Sequence, residues 1–428
     1  MKICLERFFN FGAAVSASLW LVFIFSCTSP HEGKVKITFW HAMGGSLGTT
    51  LDSLVEEFNR THPDIYIQAT SVGNYGAMSQ KLMASVMAQK PPVISQVFES
   101  WTDQFRRAGV IVPLNKYVHS SQGFSPEEIE DFFPAIWDDN MWDDTLWSLP
   151  FNKSLPVMFY NLDAFDSLGY EFPVYWEDFL VICSTYAYAD PEKFRYVMGL
   201  PINTWMFETM LIQLNGQIID PRSNQVEFDR EPGINALNML IDLIEGNPVA
   251  YLSTGYEHQD EFIAGRAIMA WGSVVSYSFM RKKEPTFNIA VAPLPYPREG
   301  RPAFVISGTN VAIFSHSTPE QQAAAWEFIK WFNSPQVQAQ WSVNTGYIPT
   351  RRSSLQDSAL RAHLELIPGM LNIYLNLDQA VSEPKIGAWF AGRIFLSEAL
   401  EYTLRGVLTP QESLFRAAQK LRHEMRQY

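Results

Sequence analysis

The first residues suited to chemistry lie in a glycine-rich turn, Trp40-His41-Ala42-Met43-Gly44-Gly45-Ser46-Leu47-Gly48. Where such a turn opens a helix, its free backbone N–H groups can hold a phosphate or another anion. The Gly-Lys-Ser/Thr ending of a P-loop is absent, so the turn does not mark a nucleotide hydrolase. From spacing alone, a tight turn lining nothing fits equally well. A second candidate is Trp137-Asp138-Asp139, Trp142-Asp143-Asp144 and Trp147. It lacks the central glycine and terminal glutamate of a calcium loop. It reads as a solvated acidic loop with its tryptophans turned inward. The eight histidines are scattered, none at metal-ligand spacing, and His-Glu-x-x-His is missing. No Gly-x-Ser-x-Gly elbow occurs. The paired carboxylates of a glycoside hydrolase are assembled by the fold and leave no local motif. These observations point to binding rather than catalysis, with no metal or cofactor.

The elements that must position such residues alternate along the chain. Val35, Ile37 and Phe39 alternate with polar neighbours, the period of a strand. Leu51, Leu54, Val55 and Phe58 follow at helical spacing, with Asp52, Glu56 and Glu57 between them. The glycine turn therefore sits at the carboxyl end of a strand, where open α/β sheets place ligands. Further strands are expected at Ile65–Val72, Val93–Phe98, Pro156–Tyr160, Ile289–Ala292 and Thr309–Phe314. Helices are expected at Ala77–Ala88, Trp176–Ala187 and Met206–Leu214. This alternation implies a mainly parallel sheet with right-handed crossovers. Thr318-Pro319-Glu320-Gln321 and Thr409-Pro410-Gln411-Glu412 are capping boxes with proline at the first helical position.

A chain of 428 residues is too long for one core, so two domains are expected. The net charge of −13 argues against nucleic acid, which needs basic patches. With 13 Trp, 17 Tyr and 30 Phe, the chain has the aromatic stock to stack on sugar or polyol faces. Lys2 and Arg7 precede an apolar run from Phe8 to Phe25, closed by Ile24-Phe25-Ser26-Cys27. This resembles a bacterial lipoprotein signal spanning residues 1–26, with Cys27 as the lipidated residue. A plain signal peptide or a membrane-spanning anchor is the alternative. Of the other cysteines, Cys4 leaves with the signal and Cys183 packs as a small hydrophobe. No disulfide is then possible, and the exported protein must rest on its core.

Six motifs occur in order: Phe39-Trp40-His41-Ala42-Met43-Gly44-Gly45-Ser46-Leu47-Gly48, Gly73-Asn74-Tyr75, Gln96-Val97-Phe98-Glu99, Pro150-Phe151-Asn152-Lys153-Ser154-Leu155-Pro156-Val157, Thr345-Gly346-Tyr347-Ile348-Pro349 and Gly392-Arg393. Together they resemble the landmarks of the glycerol-3-phosphate-binding proteins. These belong to the wider family of extracellular solute-binding proteins of ABC importers. Phe262-Ile263-Ala264-Gly265-Arg266-Ala267-Ile268-Met269 marks only the wider family. The resemblance covers nearly the whole mature chain.

The resemblance implies an α/β, two-lobed periplasmic-binding-protein fold of type II with ligand in the interlobe cleft. Lobe 1 would be 34–150 and 292–349, and lobe 2 would be 151–291 and 350–428. The crossings fall near Pro150, Pro293 and Pro349. Closure of the lobes would hide the ligand from water. On the phosphate side the resemblance implies Ser154, Ser273, Gly308, Tyr347 and Arg393, with Ser276 an alternative to Ser273. Arg393 would offer a planar fork matched to phosphate. On the polyol side it implies Tyr75, Glu99 and Trp205. The implied partners are a small-molecule ligand, glycerol-3-phosphate or a glycerophosphodiester such as glycerophosphocholine, and an ABC permease, with the membrane reached through the lipid. Three other readings stay open: a binder of neutral saccharides, a secreted hydrolase of glycosides or phosphodiesters, and a signalling receptor.

Overall fold

A computed structural model describes residues 33–189, 196–246 and 249–427. The signal segment and Cys27 lie outside the described residues. Two sheets form the frame. In the first, Val35–His41 pairs in parallel with Ile65–Ser71 on one side and Ile94–Val97 on the other. The long strand Phe304–Ile313 runs antiparallel to Ile94–Val97 and carries Leu149–Ser154 and Ala380–Ser382 as further partners. In the second sheet the order is Ile289–Ala292, Pro156–Asn161, Met269–Ser273, Met198–Pro201, Ala250–Ser253. The strand–helix alternation predicts mainly parallel pairing, whereas both sheets are mixed. In the first sheet the antiparallel pairs are those of Phe304–Ile313, which re-enters it after Ile289–Ala292; in the second they are those of Pro156–Asn161, its first strand.

The opening unit shows why these residues make these elements. Ile37 and Phe39 point into the core, and helix Gly45–Thr61 buries Leu51, Leu54, Val55 and Phe58. The ring of Phe58 meets Phe328 edge-on at 5.1 Å, tying this helix to Pro319–Phe332. Helices Pro319–Phe332 and Pro410–Glu424 both start with the expected reciprocal caps, at Thr318/Gln321 and Thr409/Glu412. Each such cap is worth about 1 kcal/mol. In the second lobe, helices Trp389–Leu404 and Pro410–Glu424 pack on one another and on a separate apolar core. Cys183 belongs to that core, fully buried, and burial pushes its thiol far above the usual range.

Two sequence expectations meet a different outcome. The segment around Trp137–Trp147 is only partly a solvated acidic loop. Asp143 and Asp144 are exposed and take left-handed backbone angles, φ 48° and 58°, as the two corners of a tight hairpin. Asp139, by contrast, is buried and pairs with Lys153. The expected division gives 350–428 to the second lobe. Yet Ala380–Ser382 continues the first sheet through parallel pairing with Phe304–Ile306. We therefore propose that the last crossing lies at 383–388, after this strand and before helix Trp389–Leu404. The first crossing is short. Leu149–Ser154 belongs to one sheet and Pro156–Asn161 to the other, with only buried Leu155 between them.

Candidate ligand-binding site

Most of the expected residues lie where strands of both sheets approach one another. Ser154 ends its strand beside Ser273, which ends Met269–Ser273, and the two hydroxyl oxygens are 2.5 Å apart. Gly308 stands opposite Lys153 in the pairing of the first sheet. Its φ is 127°, and a Cβ there would sit 1.9 Å from the carbonyl oxygen of Asn152. Only glycine permits this approach. Tyr75 opens helix Tyr75–Met87, capped by the Asn74 side chain, and its hydroxyl accepts from Asn152 Nδ2 at 3.0 Å. The Tyr347 hydroxyl faces the side chains of Tyr75 and Asn152, while its ring stacks on Trp341 at 5.7 Å. Burial raises the phenol pKa of both tyrosines, so each stays protonated at neutral pH.

Asn152 is the hub of this group, and it is not among the residues expected from the sequence. Besides meeting Tyr75, its Oδ1 accepts from Thr309 N at 3.1 Å, from the Thr309 hydroxyl and from Gln96 Nε2 at 3.1 Å. Gln96 Oε1 in turn accepts from Ala42 N at 2.7 Å, which anchors the glycine turn to the network. Both Gln96 and Asn152 lie inside the sequence motifs, but their packing partners are more than fifty residues away. Ser276, the alternative to Ser273, accepts a hydrogen bond from Gln259 Nε2.

The remaining expected residues make a second group. Trp205 donates its indole N–H to the Val305 carbonyl at 2.6 Å and meets Trp271 edge-on at 6.0 Å. Trp205, Trp271 and Ser273 help line a cavity of about 610 Å³, together with Ser397, Glu401 and Arg405 of helix Trp389–Leu404. A cavity of about 640 Å³ between residues 224–230 and the C-terminal helix contains none of the expected residues. Arg393, on the first turns of Trp389–Leu404, faces three carboxylates. Glu383 is 3.4 Å from its guanidinium, and Glu208 and Glu99 add their fields. Those charges raise the Arg393 pKa further, with Glu383 the main cause.

Glu99 is buried, and its carboxyl is held well above the usual range by burial, then by Asp139 and Glu383, against a lowering pull from Lys153. Glu208 is fully buried on helix Thr204–Gln213, one turn after Trp205, and its pKa is raised to about 8, chiefly by burial and then by Glu383. Glu208 and Glu383 are the acids not among the residues expected from the sequence. Glu208 does carry a legible signal. It is the single charge in Trp205-Met206-Phe207-Glu208-Thr209-Met210-Leu211, and such acids are almost never fully buried unless paired. Glu383 has no comparable signal.

The sequence matches the family described as bacterial extracellular solute-binding protein over residues 53–366. It is similar to the sn-glycerol-3-phosphate-binding periplasmic protein UgpB of Escherichia coli strain K12, 26% identical over 417 residues, covering 93% of this chain and 94% of that protein. Among solved structures, UgpB from Mycobacterium tuberculosis in complex with glycerophosphocholine superposes with a TM-score of 0.79 at 20% identity, over 92% of this chain and 99% of that one. The sugar-binding protein MalE from Xanthomonas citri gives 0.80 at 22% identity, over 92% and 98%. These are two-lobed binding proteins and not enzymes, and the described α/β architecture matches theirs. The chain belongs to the bacterial extracellular solute-binding proteins and acts outside the cytoplasm.

Proposed function

We propose that this solute-binding protein captures glycerol-3-phosphate or a glycerophosphodiester between its lobes and delivers it to an ABC permease. The observation that carries this reading is convergence. Tyr75, Ser154, Ser273, Gly308 and Tyr347 come from separate stretches of chain and meet around Asn152 at the junction of the two sheets. The Ser154 and Ser273 hydroxyls share one hydrogen bond and keep acceptor and donor capacity for a ligand oxygen. Arg393 supplies the fork, and Glu99 is the acceptor for polyol hydroxyls. An entering phosphate sheds water, so fixed donors must replace that hydration. The similarity to UgpB proteins over nearly the full chain supports the same reading.

One observation favours a neutral saccharide instead. The Arg393 charge is already offset by Glu383 at 3.4 Å, so the site is less cationic than one arginine suggests. Calorimetric titration of refolded, ligand-stripped protein decides between them. The phosphate reading expects heat with glycerol-3-phosphate and glycerophosphocholine and little with maltose. Binding of maltose alone would replace it with the saccharide reading.

We further propose that a lipid on Cys27 holds the mature protein at the membrane, on the strength of Ile24-Phe25-Ser26-Cys27. Cys27→Ala should leave the protein unprocessed or release it. Normal processing and membrane recovery of that variant would end the proposal.

A further inference from the structure

A cavity of about 410 Å³ adjoins the junction of the two sheets and takes no part in the proposed function. Ser273 and Tyr347 belong to the candidate site, and their chain neighbours Val274 and Gly346 line this cavity. Its walls come from both sides of the crossing. Helix Ser276–Arg281 follows directly on Met269–Ser273 of the second sheet. Val274 N fixes its approach by donating to the Leu155 carbonyl at 3.0 Å. Helix Pro335–Thr345, which packs on Gly45–Thr61 beside the first sheet, supplies Val343 and Asn344. The Ser278 hydroxyl reaches the Thr345 carbonyl at 3.4 Å. Helices Ser358–Glu365 and Met370–Leu375 close the third side and touch both neighbours. The Tyr374 hydroxyl donates to the Gly346 carbonyl at 3.3 Å, and the Pro368 carbonyl accepts from Val291 N of the second sheet at 2.9 Å.

The lining is amphipathic. Val274, Leu364, Ile367, Met370 and Tyr374 are buried and form an apolar floor. Arg281 and Lys282 stand exposed at the rim. Arg281 donates to the Tyr277 hydroxyl at 3.3 Å, and Lys282 lies over the Phe279 ring at 5.7 Å. Among the described residues neither pairs with a carboxylate, whereas their neighbour Lys283 pairs with Asp260. No residue lining the cavity is acidic, in a chain of net charge −13. Burial, then the Arg281 charge, lowers the His363 pKa, so this lining imidazole is neutral at neutral pH.

From the apolar floor and the two unneutralised cations above it, we propose that the cavity is a second binding site, for a small amphipathic carboxylate, whose occupancy alters affinity in the cleft. The site goes beyond the proposed function and does not depend on which solute the cleft takes. An apolar tail gains by leaving water over the floor. The carboxylate takes the guanidinium fork of Arg281 and the ammonium of Lys282. The volume falls in the range of small-molecule sites, roughly 300–1,000 Å³. Inorganic phosphate can meet only the rim, and a neutral alcohol only the floor. Because the walls stand on both sides of the crossing, the shape of the cavity changes when the lobes swing. An occupant that fits one form better shifts the balance toward it. Such coupling is reciprocal between the two sites.

Octanoate is the probe, with octanol and inorganic phosphate as controls. Calorimetric titration of the wild type should show saturable octanoate binding, with each control weaker by about tenfold or more. Arg281→Glu combined with Lys282→Glu should weaken octanoate about tenfold to a hundredfold, the range for hydrogen bonds to charged groups. Both side chains are exposed, so this variant should keep the wild-type melting temperature and cleft affinity. The solute that titrates the cleft, glycerophosphocholine or maltose, is then measured with and without saturating octanoate. Its affinity should change by roughly fivefold or more in the wild type and not in the double variant. Absence of octanoate binding overturns the inference, as does octanol binding equally well. Octanoate binding unchanged in the double variant places the anion elsewhere, Arg393 being the obvious group, and overturns it while leaving the proposed function intact. Equal cleft affinity with and without octanoate overturns the coupling. A cleft that binds maltose and no phosphorylated ligand overturns the phosphate reading alone.

Discussion

Lys153 and Arg393 each bring a positive charge to the region where the lobes meet, and their surroundings differ in kind. Lys153 is 1% exposed, its ammonium lies 2.5 Å from Asp139, and Asn310 donates to the same carboxylate oxygen at 3.1 Å. That set is nearly closed: one cation, one anion and a neutral donor filling a remaining lone pair, with the Asn310 side-chain oxygen left over. Arg393 keeps 30% of its side chain exposed and faces three acids, two of which leave oxygens unpartnered. The first arrangement holds the strand that bridges the lobes. The second leaves part of the guanidinium exposed, as the proposed phosphate contact requires. A buried charge therefore says little about function until its partners have been counted.

The largest expected effect tests the closed set. Lys153→Ala strands Asp139 in the interior, and removing one partner of a buried pair costs about 3–5 kcal/mol. Melting temperature and denaturant midpoint should both drop well below wild type. A variant as stable as wild type would show that this pair is not structural.

Next comes the open set. Arg393→Ala should cost roughly 2–5 kcal/mol of affinity for a phosphorylated ligand, the range for truncated buried charge contacts. That is about thirtyfold to several-thousandfold. Its melting temperature should fall by less than that of Lys153→Ala, since Arg393 is partly exposed while its buried partner Glu383 loses a counter-charge. A large stability loss with unchanged affinity would erase the contrast with Lys153.

How much of this was legible beforehand follows the range of the interactions involved. The opening strand and helix could be read from Val35 to Phe58, because periodicity is local. The capping boxes at Thr318 and Thr409 could be read for the same reason, since they close within one turn. The mixed sheets and the return of Ala380–Ser382 to the first sheet could not, because strand pairing is set across tens to hundreds of residues. Within the site, the family resemblance led to Tyr75, Ser154, Ser273, Gly308 and Tyr347, which lie together. It did not lead to Asn152 as the hub, though it sits between Phe151 and Lys153 in one of the motifs. Glu208 and Glu383 were missed because nothing in their neighbourhood shows that Arg393, far along the chain, will come to face them. Asp139 was taken for a solvated acid because its neighbours Asp143 and Asp144 are, and only Lys153 distinguishes it.

The single residue Leu155, between the two sheets, has a consequence for how a ligand would be gripped. Points near a pivot travel little when the bodies on either side rotate, and displacement grows with the length of the lever arm. Ser154 and Ser273 lie at that pivot, while Arg393 sits on a helix that the crossing at 383–388 feeds from the far side. The serine contact therefore keeps nearly constant geometry through a swing of the lobes. Glu383 lies in the proposed last crossing, so the acid that holds the Arg393 guanidinium would also stay near a pivot. A ligand would then meet both contacts close to their final geometry, and closure would serve mainly to shut out water.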